Sequence, residues 1–199
     1  MFEDIVEMLK SADCDMCRLA AAALGELGDL RAVEPLIDML VGDEDEFNRE
    51  VAAVALGKLG DIRAVEPLIS QLRGLNWLQD SAAKSLGLLG DPRAVEPLII
   101  LLKNKYGNEY ARKGAAKSLG LLRDSRAVEP LIDCLSEDTV YEEVFIALGR
   151  LKDPRAVEPL ISLLMSNEET FFDGWALNAL SSIGGERAIL GIVSYLRRD

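Results

Sequence analysis

The chain has 199 residues, 49% of them apolar, and a formal charge of −12 from 34 acidic and 22 basic side chains. That content supplies a sizeable core and excludes a charge-dominated disordered chain, while the acidic balance argues against binding nucleic acid or an anionic membrane through phosphate contacts. No apolar run approaches membrane-spanning length, and three cysteines are too few for a disulfide framework, so a reducing, cytoplasmic setting is expected.

The start, Met-Phe-Glu-Asp-Ile-Val-Glu, is acidic where a signal peptide would be basic, and it opens a lone helix over about residues 2–10. Six helix pairs are expected after it, over about 14–41, 46–73, 77–103, 108–136, 139–165 and 170–197, so residues 1–199 read as one array. The basis is a repeat. Arg-Ala-Val-Glu-Pro-Leu-Ile starts at Arg31, Arg63, Arg93, Arg126 and Arg155, and a divergent sixth copy, without the Glu-Pro pair, starts at Arg187. Periods near this size belong to solenoids, in which each repeat covers its apolar face by stacking on its neighbours. The fold class expected is all-α, a right-handed α-solenoid of about six helical hairpins plus an N-terminal half-repeat.

The second pair shows the pattern. Over 46–59, Asn48, Ala52, Ala55, Leu56 and Leu59 share one face at helical periodicity and predict helix A of the hairpin. Gly60 stands where a left-handed C-cap is wanted, and Asp61 supplies the next N-cap. Helix B is expected over about 62–72, with Val65, Leu68, Ile69 and Leu72 inward and Pro67 tightening its first turn. On the back of helix A, Ala21/Gly25, Ala53/Gly57, Ala83/Gly87 and Ala116/Gly120 form pairs of small residues four apart, which let a neighbouring helix approach closely. The pattern breaks at Phe145/Gly149 and Leu177/Ser181, so different packing is expected there. Arg123 and Lys152 replace the C-cap glycine, at some cost if the left-handed geometry is kept.

Leu-Gly-Glu-Leu-Gly-Asp-Leu-Arg-Ala-Val-Glu-Pro-Leu-Ile, residues 24–37, and its copies resemble the HEAT-like repeats named after phycobilisome lyases. The resemblance covers essentially the whole chain. It implies one of several roles: a bilin-lyase subunit, an adaptor, or an array like the engineered binders of the same class. In those binders the variable, concave surface lies on helix A beside the core stripe. Carried onto this chain, one column of that surface reads Asp15, Phe47, Trp77, Tyr110, Thr139 and Phe171, with Trp175 one turn beyond Phe171.

Helical geometry supports the placement independently, because the stripe Phe47, Val51, Val54, Lys58 lies about 100° from the core stripe and is not fully covered by it. The residues expected to hold a partner are Phe47, Glu50, Trp77, Asp80, Lys84, Tyr110, Lys113, Lys117, Glu143, Arg150, Phe171 and Trp175. Among them Lys84, Lys113 and Lys117 read as a small basic island. Two readings of the aromatic column stand: a partner-binding ridge, or rings that lid the apolar interior.

Other motifs read as structural. Cys14-Asp-Met-Cys17 has metal-site spacing but lacks four ligands, and the chain has no histidine. The recurrent Gly-x-Leu-Gly-Asp lacks the strand and Lys-Ser/Thr of a phosphate loop. The repeated arginines are expected to pair with turn aspartates or with the glutamate three residues on, as Arg31 with Glu34. Without histidine there is no imidazole base for a hydrolase triad, nor the His-Glu metal site of deoxyhypusine hydroxylase, a HEAT-like enzyme. No catalytic, cofactor-binding or metal-binding residue is therefore expected, and no cofactor. The function expected is a non-catalytic scaffold for a protein or peptide on its concave helix-A face, without nucleic acid or membrane. The alternative, implied by resemblance, is a phycobilin lyase subunit or cofactor-attachment helper. An artificial array without a natural partner is a third reading, and drift from consensus over 139–182 argues against it. The last helix, 188–197, is apolar enough to form a homodimer contact.

Overall fold

The computed structural model describes residues 2–11, 13–73, 77–136, 142–166 and 172–197, and every regular element among them is helical. The chain packs as two compact units, Met1–Ala115 and Ala116–Asp199. The first contains α1 (Phe2–Met8), α2 (Cys14–Leu27), α3 (Val33–Gly42), α4 (Glu46–Leu59), α5 (Val65–Gln71), α6 (Leu78–Leu89), α7 (Val95–Lys103) and the start of α8 (Glu109–Leu122). The second contains the rest of α8, then α9 (Val128–Cys134), α10 (Glu142–Leu151), α11 (Val157–Met165), α12 (Asp173–Ile183) and α13 (Glu186–Leu196). From α2 onward, even-numbered helices are helix A of a hairpin and odd-numbered ones helix B. Among the described residues no helix is long and apolar enough to cross a membrane.

The core follows the two stripes. Ala52, Ala55 and Leu56 of α4 and Val65 and Leu68 of α5 are all buried, and so is Asn48. Helix B differs in one detail from a continuous α-helix. Ile62–Ala64 is a 3-10 turn, and the same turn precedes α3, α7, α9 and α11. Proline at the third position of each of these helices has no N–H to bond four residues back, so the entry tightens to three-residue bonds, as from Ala64 N–H to the Asp61 carbonyl at 3.1 Å.

The invariant residues make the joints. Asp61 accepts from the Arg63 N–H at 2.9 Å and takes a two-pronged guanidinium contact, Nε to Oδ1 at 3.1 Å and Nη2 to Oδ2 at 2.8 Å. Arg63 Nη1 then donates to Glu34 Oε1, in the preceding repeat, at 2.9 Å. Arg93 does the same with Asp91 and Glu66, and Arg155 with Asp153 and Glu129. The turn-aspartate pairing is as the sequence indicated; the glutamate pairing is not. Arg31 is engaged by Asp29, and Glu34 serves the next repeat instead of its own arginine. The arginine hydrogen bonds hold Asp29, Asp61, Asp91 and Asp153 below the usual carboxylate range, and Arg126 brings Asp124 down to about 2.

Small residues set how closely the A helices stack. A Cβ placed on Gly25 would lie 2.8 Å from the Ala55 Cα, and one on Gly57 would lie 2.9 Å from the Ser85 Cα. In the second unit, Gly120 is as close to α10, with the Ala147 Cα 2.7 Å from its would-be Cβ. Between α10 and α12 the spacing relaxes. The nearest atoms to a Cβ on Gly149 are Ser182 Cβ at 3.2 Å and Ala179 Cα at 3.4 Å. Phe145, buried at 1% exposure, fills the position held elsewhere by alanine and keeps α12 back.

Candidate functional site

Two places on the A helices gather the functional side chains, one in each unit. In the first unit, Phe47, Trp77 and Tyr110 are 63%, 62% and 58% exposed. All three stand at the N-terminal edge of a helix A. Asp45 caps α4 by accepting from the Phe47 N–H at 2.8 Å, and Asn108 accepts from the Tyr110 N–H at 2.9 Å. Phe47 and Tyr110 share this cap geometry, whereas Trp77 is itself the N-cap of α6, without a side-chain cap bond. The repeat register, six residues before Ala53, Ala83 and Ala116, makes the three positions equivalent. The Trp77 and Tyr110 rings pack with centroids 6.2 Å apart, and Lys113 Nζ sits 5.7 Å from the Tyr110 centroid.

Charges around these rings are mostly neutralised locally. Lys84 bonds Asp80 Oδ2 and Lys113 bonds Glu109, both at 2.6 Å and both one turn apart. Two of the three lysines of the expected basic island are thus paired with acids of their own helices. Lys117 is exposed on the part of α8 that belongs to the second unit. Glu50 accepts from Ser81 Oγ at 2.9 Å and ties α4 to α6. Asp80 Oδ1 is buried without a hydrogen-bond partner, facing Gly114, where a Cβ would lie 2.5 Å from it.

In the second unit the aromatics turn inward. Trp175 is half-buried, its ring 5.9 Å from Phe145 and 5.8 Å from Phe172. Beside this cluster a cleft of about 390 Å³ opens between α10 and α12, lined by Phe145, Trp175, Glu142, Arg123, Arg150 and Lys152 among others. Glu143 is half-buried in the first turn of α10 and is not part of the lining. Phe171, like Thr139 of the same column, lies outside the described residues.

Sequence reasoning placed Arg150 and Trp175 on this surface, and it noted Arg123 and Lys152 only as poor C-caps. The structure joins these facts. Arg123 and Lys152 hold φ of 54° and 53°, the left-handed positions that Gly28, Gly60 and Gly90 take elsewhere, and both line the cleft. The signal was present in the register, since the two non-glycine caps flank the helix whose small-residue pair is broken by Phe145.

A third column went unread. Four residues before the stacking alanines stand Cys17, Gln79 and Arg112, all buried, and each donates to a carbonyl at the end of the preceding helix B or its loop. Cys17 Sγ bonds the Leu9 and Ser11 carbonyls at 3.3 and 3.1 Å, Gln79 Nε2 the Leu72 carbonyl at 2.7 Å, and Arg112 Nε the Leu102 carbonyl at 2.8 Å. These are the orphan acceptors that any helix C-terminus leaves. Cys17 is therefore a loop anchor, and burial pushes its thiol above the usual range, away from the thiolate that metal binding or redox chemistry needs. Among the described residues no group of three or more cysteine, aspartate or glutamate side chains is placed to hold a metal.

The family model for HEAT repeats matches residues 2–77 and 76–144, and the model for the PBS lyase HEAT-like repeat matches 140–164. No curated protein matches the chain in sequence. Among solved structures, the complex of CpcE and CpcF of phycocyanin lyase from Nostoc sp. is similar, at 22% identity and TM-score 0.52, over 98% of this chain and 94% of that one. Importin beta is similar at 16% identity and TM-score 0.67, over 92% of this chain but 30% of its own length. At such identities the likeness concerns the fold, and importin beta supports an α-solenoid. The joints, the stacked hairpins and the matched models agree: the chain belongs to the HEAT-repeat family, in its PBS lyase type.

Proposed function

We propose that this protein is a non-catalytic scaffold that holds a protein or peptide partner on the helix-A face of its array. The observation that carries this reading is the row of exposed rings, Phe47, Trp77 and Tyr110, at equivalent positions of three successive A helices. A ring more than half exposed contributes little to its own fold, whereas covering it by a partner removes a large apolar area at low entropic cost. The absence of histidine leaves no imidazole for acid–base work, and the three cysteines are free, in keeping with a cytoplasmic setting. The test is to quantify capture of the partner from source extract by wild type, Trp77→Ala and Tyr110→Ala. Retention should fall at least tenfold in both variants while helicity stays unchanged. Equal retention, or loss of helicity in both, refutes the ridge.

A second reading, a phycobilin lyase subunit or cofactor-attachment helper, draws on the PBS lyase repeat match at 140–164 and the likeness to the CpcE–CpcF complex. Incubation with bilin and an acceptor protein would then shift the visible spectrum; no shift removes it. For self-association the support is α13, where Ile189, Leu190 and Leu196 are exposed. Solution mass that rises with concentration, and stays monomeric in Leu190→Glu, is the expected signature.

A further inference from the structure

The cleft between α10 and α12 combines three properties that occur together nowhere else among the described residues. It has an aromatic floor, Phe145 and Trp175, where the other A helices stack through alanine and glycine. Its rim carries three cations, Arg123, Arg150 and Lys152, against one acid, Glu142, in a chain whose net charge is −12. None of the three cations makes an ion pair among the described residues, whereas the repeat arginines Arg31, Arg63, Arg93, Arg126 and Arg155 all pair with turn aspartates. Arg150 Nη1 is moreover buried without a hydrogen-bond partner, a donor desolvated at a cost that an incoming oxygen acceptor would remove.

We propose that this cleft is a docking site for an acidic peptide segment of a partner protein, which inserts one aliphatic or aromatic side chain over Phe145 and Trp175 while its carboxylates meet Arg123, Arg150 and Lys152. Charge complementarity selects the occupant. Three unpaired cations recognise carboxylate, and the apolar floor needs an anchor that a free anion lacks. The volume of about 390 Å³ admits one large side chain and its flanking backbone, not a folded domain. Arg123 and Lys152 add no bulk to the floor, because they project from the ends of α8 and α10. The proposal shares with the scaffold reading the premise of a protein partner, but it stands on residues of the second unit alone.

The test is a fluorescence-polarisation panel with the full chain and three labelled pentapeptides: Glu-Asp-Phe-Glu-Asp, its lysine counterpart Lys-Lys-Phe-Lys-Lys, and Glu-Asp-Gly-Glu-Asp. Only the first should bind measurably, and its affinity should drop at least tenfold between 50 and 300 mM salt. The decisive variant is Arg123→Gly with Lys152→Gly. Glycine is the residue the other repeats use at those positions, so both charges are removed without threatening the fold, and affinity should fall at least tenfold. Arg150→Gln should have a similar effect, and Trp77→Ala none. Equal binding of the first and third peptides, or its full competition by 5 mM inorganic phosphate, marks a simple anion patch and overturns the proposal. So does binding unaffected by the double glycine variant. If Trp77→Ala abolishes binding instead, the cleft proposal fails and the ridge reading survives.

Discussion

The first unit and the α10–α12 step of the second solve the same stacking problem in opposite ways. In the first, alanine and glycine bring the A helices into backbone contact, and the large rings, Phe47, Trp77 and Tyr110, are left outside. In the second, a ring enters the stack itself. Phe145 is buried where alanine stands elsewhere, α12 is held back, and a cleft replaces the closed wall. One residue's volume at one register position separates a surface that offers exposed rings from one that offers a concavity. The family repeat specifies how hairpins join, and departures from it specify where something can bind.

The sharpest way to break this contrast is to truncate a ring in each unit. Phe145→Ala should destabilise by about 3–4 kcal/mol, since its ring, though it floors the cleft, is almost wholly buried against Phe172 and Trp175. Trp77→Ala should cost less than about 1 kcal/mol, since its ring is 62% exposed and rests on the half-exposed Tyr110. Chemical denaturation of both variants checks this. A mild effect at Phe145 would mean that α12 closes onto α10 as the other A helices do, and the wedge reading would fail.

The stacking glycines give the next test. Gly25→Ala should destabilise by about 1–3 kcal/mol, because its Cβ meets the Ala55 backbone, which cannot rotate aside. Gly149→Ala meets nothing nearer than 3.2 Å. There, alanine's helix preference, worth up to about 1 kcal/mol, offsets the crowding, and the net change should lie within about 0.5 kcal/mol of zero. Equal losses at the two sites would erase the distinction between the stacks.

Most of the fold was legible in the sequence, because it is written as local signals repeated at a fixed period. Helix α4 begins and ends where its apolar stripe and Gly60 put it, and the exposed Phe47 stripe follows from helical geometry. Inter-repeat geometry was less legible. Glu34 was read with the arginine three residues before it, yet it bonds Arg63, because Asp29 already occupies the Arg31 guanidinium. The loop-anchoring role of Cys17, Gln79 and Arg112 was hidden because three unlike side chains perform it, alike only in offering a donor. The cleft was half-visible. The sequence marked Phe145, Arg123 and Lys152 separately as departures, but periodicity says nothing of the volume that opens when they coincide.

Acid should reveal what the units have in common. Arginine holds Asp29, Asp61 and Asp91 of the first unit, and Asp124 and Asp153 of the second, below the ordinary carboxylate pKa, with Asp124 at about 2. A depressed folded-state pKa contributes stability that is fully present above the unfolded value near 4, and is lost as pH falls toward about 2. Stability should therefore be flat above pH 5 and decline below it. Asp61→Asn and Asp124→Asn should each flatten part of the decline, one in each unit. A flattening confined to one of them would show that the joints are not equivalent.

The smallest expected effect bears most directly on the cleft. Arg123 and Lys152 sit at φ of 54° and 53°, where a side chain costs about 1–2 kcal/mol relative to glycine. Glycine also loosens the unfolded chain, by about 0.4–1 kcal/mol, so each replacement should stabilise by roughly 0.5 kcal/mol net. Thermal melts of Arg123→Gly, Lys152→Gly and the double variant measure this, and the two gains should add, since the residues end different helices. Destabilisation would show that the side chains pack or pair in the folded protein and supply their own reason for being there. Stabilisation leaves two cations held in strained backbone at the rim of a cleft, with no contribution to the fold to account for them, and binding becomes the explanation that remains.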